Sequence, residues 1–412
     1  MKSFKFKVSR AIKGDQWLWL SVIFLMLISL VAVYSAIGLQ AITKAYVTPW
    51  QAMIKHLRYM VLTFLIIVGV SNLNYRMIAR FSGVFFGACL AFLAAMLVMG
   101  GRWFSIPFVG HFQPSEFAKV ALILLLAKKV SMNKDSLDNK YFFAGLMINV
   151  AVVAGLILPE NFSTAALVVV ASLFVMYYGG IKRSYVYRTA AVLVVLGVAF
   201  LFYSYRVYQR QVRMSEEMGY VEEESGGMLK RTVTWGHRVD SWLFPKPDDL
   251  TQENMARMAV ATGRLTGNGV GNTVHARLMR EADNDFIFSI IIEETGFLGA
   301  LGVLLVYLVF FWRCVCVSNE CKGLFGSLVS VSLGTLIFIQ AAVNMAVAVG
   351  ALPVTGQTLP LISRGGSALL AMGVAVGVIQ SVAKDNALQR NEDVEAMELE
   401  PSAEEDADDS NE

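Results

Sequence analysis

Three carboxylates stand at the start of, and within, a single apolar segment of the chain. Asp285 precedes the sequence Phe-Ile-Phe, Glu293 and Glu294 follow it, and the segment stays apolar as far as about Trp312. A charged side chain at the centre of a membrane costs about 2.5–3.5 kcal/mol on insertion scales, so such residues are usually functional. The first turn of a helix favours a carboxylate anion, whereas apolar walls favour the neutral acid. A carboxylate between these two influences can act as a general base, and Asp285 is the candidate.

The two glutamates are expected to have supporting roles. Glu293 lies about 12 Å beyond Asp285 along a helix that rises 1.5 Å per residue. Successive residues of a helix point about 100° apart, so Glu293 and Glu294 cannot both face one site. We therefore expect one of them to pair with another helix.

The elements that hold these residues follow from composition. Of the 412 residues, 56% are hydrophobic and only 16% are charged, whereas a soluble domain carries about 25% charged residues. Apolar runs of about 17–25 residues can cross a bilayer as helices. Ten such runs occur, at about 17–38, 57–73, 81–100, 114–130, 142–158, 163–180, 187–206, 285–312, 325–350 and 367–384. The sequence predicts an all-α polytopic membrane protein with ten transmembrane helices and a large external loop, 207–284, between helices 7 and 8.

The distribution of basic residues predicts the orientation of these helices. Lysine and arginine are concentrated in the amino-terminal arm and in alternate connections, represented by Lys2, Lys13, Arg76, Lys128, Lys182 and Arg313. The positive-inside rule places these residues and both termini in the cytoplasm. We expect a basic cytoplasmic arm at 1–16, a membrane domain at 17–384 and an acidic tail at 385–412. Residues 391–412 contain eleven acids and no base, which predicts a disordered cytoplasmic tail.

The first polar patch on the predicted external surface combines Arg102 with the start of the fourth span. Pro114 suits the first turn of a helix, and Glu116 suits its positive N-terminal end. Glu116 and Lys119 are spaced i, i+3, so they share a helix face and can form an ion pair. That pair could be structural, or the Lys119 ammonium could bind a phosphate just below the surface.

The long external loop carries further polar residues. It contains an acidic patch at 222–224, the basic residue Arg231 and a glycine-rich stretch at 263–272. The glycines permit a tight backbone path near the membrane. No Gly-Lys-Ser or Gly-Lys-Thr follows them, so the stretch is not a P-loop. Connections of this length are uncommon unless they have a function.

The last polar patch, 352–367, contains two prolines, three glycines and several hydroxyl groups between two spans. Non-helical backbone at membrane depth must line a cavity or be buried in protein. Ser367 opens a helix whose first N–H groups could bind an anion. Arg364 could pair with a phosphate or with an acid in the membrane.

Metal-binding patterns are weak in this sequence. Cys314 and Cys316 form a Cys-x-Cys pair, but no second ligand pair follows, and the four histidines share no spacing typical of a metal site. The sequence therefore identifies no metal-ligand set. The net charge of +3 gives no indication of a nucleic-acid partner.

Together, the segments 113–119, 285–288 with 293–296, and 353–367 resemble the SEDS family of cell-wall polymerases, which includes FtsW and RodA. Within the last segment, 358–363 resembles FtsW more than RodA. The resemblance implies a ten-helix peptidoglycan glycosyltransferase of the bacterial cytoplasmic membrane. Such an enzyme would polymerise lipid II, an undecaprenyl-diphosphate-linked disaccharide-peptide, into glycan strands for the division septum.

The resemblance assigns the family's essential aspartate to Asp285. The candidate substrate-binding residues are Arg102, Glu116, Lys119, Arg231, Ser363 and Ser367. Family members commonly have Pro-Glu-x-His-Thr-Asp where this chain has 280–285, and Tyr where it has Arg364. Asp283 is thus a rival carboxylate, but Asp285 keeps its register with Phe-Ile-Phe.

The implied reaction is attack by an acceptor sugar hydroxyl on the anomeric carbon of the lipid-linked donor, with Asp285 as general base and inversion at that carbon. A divalent cation, Mg or Mn, could stabilise the leaving diphosphate. The family implies a class B penicillin-binding protein transpeptidase as partner, together with other divisome membrane proteins. The alternatives are a lipid II flippase, a RodA-type elongation polymerase and a non-catalytic scaffold. The gathering of polar groups at the predicted external end favours chemistry there.

Overall fold

The part of the chain that the structure describes is almost entirely helical. The computed structural model describes residues 14–40, 48–99, 104–106, 110–218, 228–245 and 251–408. Its helices are α1 (Gln16–Gln40), α2 (Pro49–Ser71), α3 (Tyr75–Met99), α4 (Pro114–Met132), α5 (Lys140–Ile157), α6 (Phe162–Tyr178), α7 (Arg183–Met218), α8 (Met228–Leu243), α9 (Gln252–Gly263), α10 (Ile287–Glu320), α11 (Leu324–Ala348) and α12 (Gly366–Asp408). Every predicted span coincides with one of these helices, and α8 and α9 are additional.

Eight of the described helices are long and apolar enough to cross a membrane, namely α1, α2, α3, α5, α7, α10, α11 and α12. The apolar helix α6 has only 17 residues. Helix α4 carries two charged residues near its start, Glu116 and Lys119, and two near its end, Lys128 and Lys129. These findings agree with the predicted polytopic helical membrane protein.

Helix α4 tolerates its charges because it lies at the centre of the bundle. Its residues 118–127 are all buried, and it packs against α3, α6, α11 and α12. By contrast, α7 exposes large apolar side chains such as Val195 and Phe202. Lipid tails are as apolar as these side chains, so the exposed face of α7 suits a membrane. A helix enclosed by protein can instead carry charges that pair with one another.

The described parts of the predicted external loop, 207–284, include the end of α7 and helices α8 and α9. Helix α7 has 36 residues, so at 1.5 Å per residue it is about 54 Å long and exceeds the roughly 30 Å hydrocarbon core. Helix α8 packs along its extension so closely that a Cβ added at Gly236 would lie 2.3 Å from the carbonyl oxygen of Ser204. The Gln209 amide also donates to Asp240 at 2.8 Å. This close packing explains why the segment is not an irregular loop.

The all-α prediction also misses a small β-hairpin. Strand β1 (Phe104–Ile106) pairs antiparallel with β2 (Gly110–Phe112), and Phe104 lies opposite Phe112. Both rings pack edge-on against Phe92 of α3, with ring centres 6.3 and 6.2 Å away. Aromatic cross-strand pairs stabilise a short ladder, and here a helix supports it.

The predicted acidic tail, 385–412, begins as a continuation of α12, which ends at Asp408. Glutamate, alanine, methionine and leucine have high helix propensity, and a segment that continues an existing helix has no nucleation cost. Two ion pairs join this extension to the end of α10 and the turn after it: Arg390 with Glu320 at 3.0 Å and Lys322 with Asp393 at 2.7 Å. Both pairs are exposed, so each contributes little to stability.

Helix α10 does not run straight from its first residue. It breaks at Gly296, whose φ of 69° and ψ of −168° are non-helical. The glycine-rich stretch packs against this break: the N–H of Asn268 donates to the carbonyl of Glu293, and the N–H of Gly269 to that of Glu294, both at 2.9 Å. The predicted span therefore consists of a short helix up to the break and a longer one beyond it.

Both glutamates before this break have hydrogen-bond partners, as their predicted supporting role requires. Glu293 is fully buried, and its carboxylate accepts from the N–H of Val274 at 2.9 Å and lies 2.8 Å from Nδ1 of His275. Glu294 accepts from the hydroxyl of Ser35 on α1. The expectation that the two side chains face different partners, one of them on another helix, is confirmed.

The close approach of the glycine-rich stretch yields a stability prediction. Gly267 has a φ of 75°, and a Cβ there would lie 2.1 Å from the carbonyl oxygen of Glu294. We expect Gly267→Ala to cost about 1–3 kcal/mol or more through strain and overpacking. Thermal unfolding of the purified protein in detergent should show a lower midpoint.

Gly302→Ala is the matched control. Gly302 lies on α10 beyond the break, and a Cβ there would have no neighbour within 4 Å. Alanine also has the higher helix propensity. An unchanged midpoint for Gly267→Ala would contradict the tight packing at the break.

Candidate active site

A cavity of about 490 Å³ opens at the end of the bundle where α4, α6, α10 and α12 begin. Its walls come from segments that are far apart in the sequence: 113 and 116, 158–162, 200 and 203, 231, 232, 234, 235 and 238, 281, 284 and 285, 355–358, and 365, 367 and 368. The segment 113–119, the long external loop and the patch 352–367, all singled out in the sequence, are therefore brought together, and the long loop contributes α8. The cavity is the candidate site.

Four helix N-termini point toward this cavity. The lining residues Gln113, Asn161, Asp285 and Gly365 each lie within two residues of the first residue of a helix. The N-terminus of a helix carries about half a positive charge and free N–H groups. The convergence of four such ends makes the cavity electrostatically favourable for an anion.

Asp285 lines the cavity and is half-buried. A Cβ added at Gly356 would lie 3.6 Å from its Oδ2, so this carboxylate oxygen adjoins the backbone of the α11–α12 connection. The rival Asp283 is buried and forms a 2.7 Å ion pair with Arg364. Of the two alternatives for Arg364, a phosphate or an acid, the structure has the acid. Asp285 is the one of these two aspartates that lines the cavity.

Two arginines of α8, Arg231 and Arg238, line the cavity. Arg231 is half-exposed and lies 3.9 Å from Glu160. Arg238 donates to the carbonyl of Val354 at 3.1 Å. Burial lowers the pKa of Arg238, whereas the nearby carboxylates of Asp285 and Glu253 raise it.

Arg231 is a candidate from the sequence, whereas Arg238 is not. The two are seven residues apart, which is close to two helical turns, so they lie on one face of α8. This spacing was the available signal, but nothing in the sequence showed that the long loop forms a helix at this point. Both residues line the cavity.

Glu116 and Lys119 form the predicted ion pair, with 2.9 Å between Nζ and Oε2. Glu116 lines the cavity, but Lys119 does not. The lysine side chain has no exposed surface, and its Nζ also donates to Gln340 at 2.9 Å. The structure thus favours a structural role for Lys119. Its ammonium pairs with Glu116 on the side away from the cavity, because both charges need partners once they leave water.

The two candidate serines have different surroundings. Ser367 lines the cavity at the start of α12. Ser363 is buried away from it; its hydroxyl donates to the carbonyl of Asn284 and accepts from the N–H of Leu359. Ser363 therefore holds the cavity wall rather than forming its surface. Arg102 lies outside the described residues.

An aromatic wall faces the polar one. Phe162 stacks on Phe200 with ring centres 4.7 Å apart and meets Trp235 edge-on at 5.1 Å. The guanidinium of Arg238 lies 5.2 Å from the centre of the Trp235 ring. All four line the cavity, which therefore combines flat apolar faces with anions, cations and amides. Such a lining suits an amphipathic ligand with a charged group.

A divalent cation does not have a ready-made site here. Within the ranges described above, no three His, Cys, Asp or Glu side chains lie close enough to hold a metal ion. The acids that line the cavity are dispersed over its walls, and Glu116 is already paired with Lys119. As they are arranged, these side chains do not form a chelating set for Mg or Mn.

Comparison with known proteins adds a family and a fold. Residues 15–388 match the FtsW, RodA and SpoVE family, described as a cell cycle protein. The probable peptidoglycan glycosyltransferase FtsW of Haemophilus ducreyi is 26% identical over 389 residues, 91% of this chain and 90% of that protein. The peptidoglycan glycosyltransferase MrdB of Escherichia coli is 28% identical over 311 residues, 71% of this chain and 75% of that protein.

A solved structure is also similar. It is described as the structural coordination of polymerization and crosslinking by a peptidoglycan synthase complex. One of its chains superposes with a TM-score of 0.69 and 24% identity, covering 91% of this chain and 99% of its own length. At that identity the likeness shows a shared fold.

Proposed function

We infer the function of this chain from its family: it belongs to the FtsW, RodA and SpoVE family of cell cycle proteins. Its relatives FtsW and MrdB are named peptidoglycan glycosyltransferases. The chain is accordingly a peptidoglycan glycosyltransferase, and its substrate is lipid II. The main structural support for this function is that Asp285 lines a cavity together with Arg231 and Arg238. The starts of four helices also adjoin this cavity.

Asp285 is the general base in this proposal. A hydroxyl of the acceptor sugar attacks the anomeric carbon of the lipid-linked donor, and Asp285 removes the hydroxyl proton. The bond between that carbon and the lipid diphosphate breaks, and the diphosphate leaves with the electron pair. Attack opposite the leaving group inverts the anomeric carbon. General-base assistance of this kind contributes about 10²–10⁴ in rate.

The leaving diphosphate needs positive charge rather than a strong acid. Arg231 and Arg238 supply two guanidinium groups, and the helix N-termini add oriented N–H groups. Donors held in advance at the place where charge develops lower the barrier without reorganisation. The aromatic wall formed by Phe162, Phe200 and Trp235 is the surface on which the apolar faces of the sugars would pack.

The membrane arrangement that suits this function is the predicted one. Helices α4 and α6 would cross the membrane with the other eight, giving ten spans with both termini in the cytoplasm. The cavity then opens on the external face, where lipid II is polymerised. Basic residues near the start of α3 and the end of α4, such as Arg80 and Lys128, support this orientation through the positive-inside rule.

A class B penicillin-binding protein transpeptidase is the proposed partner, together with other divisome membrane proteins. The similar fold in a complex that coordinates polymerization and crosslinking supports a transpeptidase partner. Such a partner would crosslink the strands that this chain makes.

We assign the polymerase to septal synthesis. Identities of 26% to FtsW and 28% to MrdB do not separate division from elongation, so the assignment rests on the segment 358–363. Depletion of the protein from its own cells should give filaments without septa. Rounded cells that still divide would instead support the elongation role.

The activity itself is tested with purified protein, fluorescent lipid II and a class B transpeptidase, with the products separated on a glycan gel. Polymer is expected, and it should require Asp285. Transfer of lipid II across vesicles without polymer would support the flippase. Absence of both activities, with division rescued by an Asp285 variant, would support the scaffold.

A further inference from the structure

Three successive carbonyl groups ahead of α10 are held from one side. The carbonyl groups of Asp283, Asn284 and Asp285 accept one hydrogen bond each. Two of the donors are consecutive residues of the α11–α12 connection, and the third is a residue of α11. The donors are the N–H of Arg364 to Asp283 at 3.0 Å, Oγ of Ser363 to Asn284 at 2.6 Å, and Nδ2 of Asn344 to Asp285 at 2.9 Å. The backbone that carries Asp285 is thus fixed residue by residue.

Arg364 makes a second contact with the same segment. Its guanidinium forms a 2.7 Å ion pair with the Asp283 carboxylate, and 26% and 10% of the two side chains are exposed. The arginine therefore holds Asp283 at both backbone and side chain. A hydrogen-bonded ion pair that is mostly out of water is stronger than a surface pair and has a narrow geometry.

The α11–α12 connection that supplies these donors is itself anchored to three helices. Four of its carbonyl groups accept hydrogen bonds from side chains of α1, α10 and α11. The side chains of Asn344 and Gln340 on α11 donate to the carbonyl groups of Gln357 and Thr358. The hydroxyl of Tyr307 on α10 donates to the carbonyl of Pro360, and that of Ser29 on α1 to the carbonyl of Ile362. Leu361 among them has a left-handed φ of 63°. A strained residue persists only where its surroundings determine its conformation, so this connection is a rigid support.

We propose that Arg364 is a positioning residue for the Asp285 carboxylate, acting through its ion pair with Asp283. This inference rests on the proposed function, in which Asp285 is the base. The ion pair joins the rigid connection to the segment two residues ahead of the base, and Gly356 of the same connection adjoins the Asp285 carboxylate. A misplacement of about 1 Å at a reacting group can cost about 10²-fold in rate.

The test compares Arg364→Gln, Asp283→Asn, the double variant and Arg364→Lys, each as the full chain with its transpeptidase partner. Each single neutral variant should lower kcat for lipid II polymerisation about 10- to 100-fold with KM nearly unchanged. The double variant should be no slower than either single variant, because both changes break one contact. Arg364→Lys keeps a cation beside Asp283 and should recover part of kcat.

The double variant leaves no unpaired buried charge, so the comparison survives if a single variant fails to fold. Arg210→Gln serves as the control for loss of an exposed arginine outside the cavity and should keep the wild-type kcat. A purely structural pair would lower the thermal midpoint while leaving kcat per folded molecule unchanged, and this result would overturn the proposal. So would a double variant whose loss is the product of the two single losses.

The same assay separates this inference from the proposed function. If wild-type protein makes polymer and Arg364→Gln keeps its kcat, the positioning role is wrong and the function stands. If wild-type protein with its partner makes no polymer, the function on which the inference rests is wrong, and the positioning role is overturned with it.

Discussion

Asp285→Asn is expected to abolish measurable polymerisation while the protein stays folded. Asparagine has nearly the same shape as aspartate, and the backbone carbonyl of residue 285 can still accept from Asn344. What the substitution removes is the carboxylate that takes the proton from the acceptor hydroxyl. Loss of a general base costs about 10²–10⁴ in rate. The measurement is polymer formed from fluorescent lipid II by purified variant and partner, together with the thermal midpoint of the variant.

Asp135→Asn is the control for loss of a carboxylate. Asp135 is exposed in the 3-10 turn Lys134–Ser136, at the opposite end of α4 from the cavity. The Asp135→Asn variant should polymerise lipid II as fast as the wild-type protein does. Near-normal glycan synthesis by Asp285→Asn would show that another group takes the proton, and the assignment of the base would fail.

Arg238→Ala is expected to produce the second-largest loss, about 10²–10³ in kcat, which is the range found when one preorganised donor is removed from a charged transition state. Arg238 is the more buried of the two cavity arginines, its charge lies near Asp285, and its side chain packs over Trp235. Its guanidinium should therefore matter more in the transition state than that of the half-exposed Arg231. Steady-state kinetics with lipid II measures the loss.

Two comparisons make this prediction specific. Arg238→Lys keeps the charge but not the planar fork, so it should recover only part of kcat. Arg210→Ala removes an exposed arginine from the extension of α7 and should have no effect. A loss confined to KM would mean that Arg238 binds substrate and transition state equally well, contrary to the proposed role in leaving-group stabilisation.

Hydropathy located the eight described helices that are long and apolar enough to cross a membrane, because the requirement to fill a bilayer with apolar side chains is local and acts on every residue of a span. It did not indicate that the loop 207–284 contains helix α8. Helix α8 has a mixed composition, and it is stabilised by close packing on α7 at Gly236. Disorder was predicted for the tail from charge alone, whereas continuity with α12 makes the segment helical to Asp408.

The class of protein, the candidate base and the supporting roles of Glu293 and Glu294 can all be predicted from the order of the residues alone. Those conclusions depend on the order and period of residues along one segment. Asp285 could be preferred to Asp283 because it adjoins the Phe-Ile-Phe register, and the ion pair of Asp283 with Arg364 now explains the other aspartate.

The contacts between distant segments are visible only in the folded chain. Lys119 is buried against Gln340 of α11, Arg238 lines the cavity, and Arg364 pairs with Asp283. In a medium of low dielectric constant, the energy and ionisation of a charged group depend mainly on the groups within a few ångströms of it. Those groups come from helices more than a hundred residues apart in some cases, and no local pattern of the sequence specifies such distances.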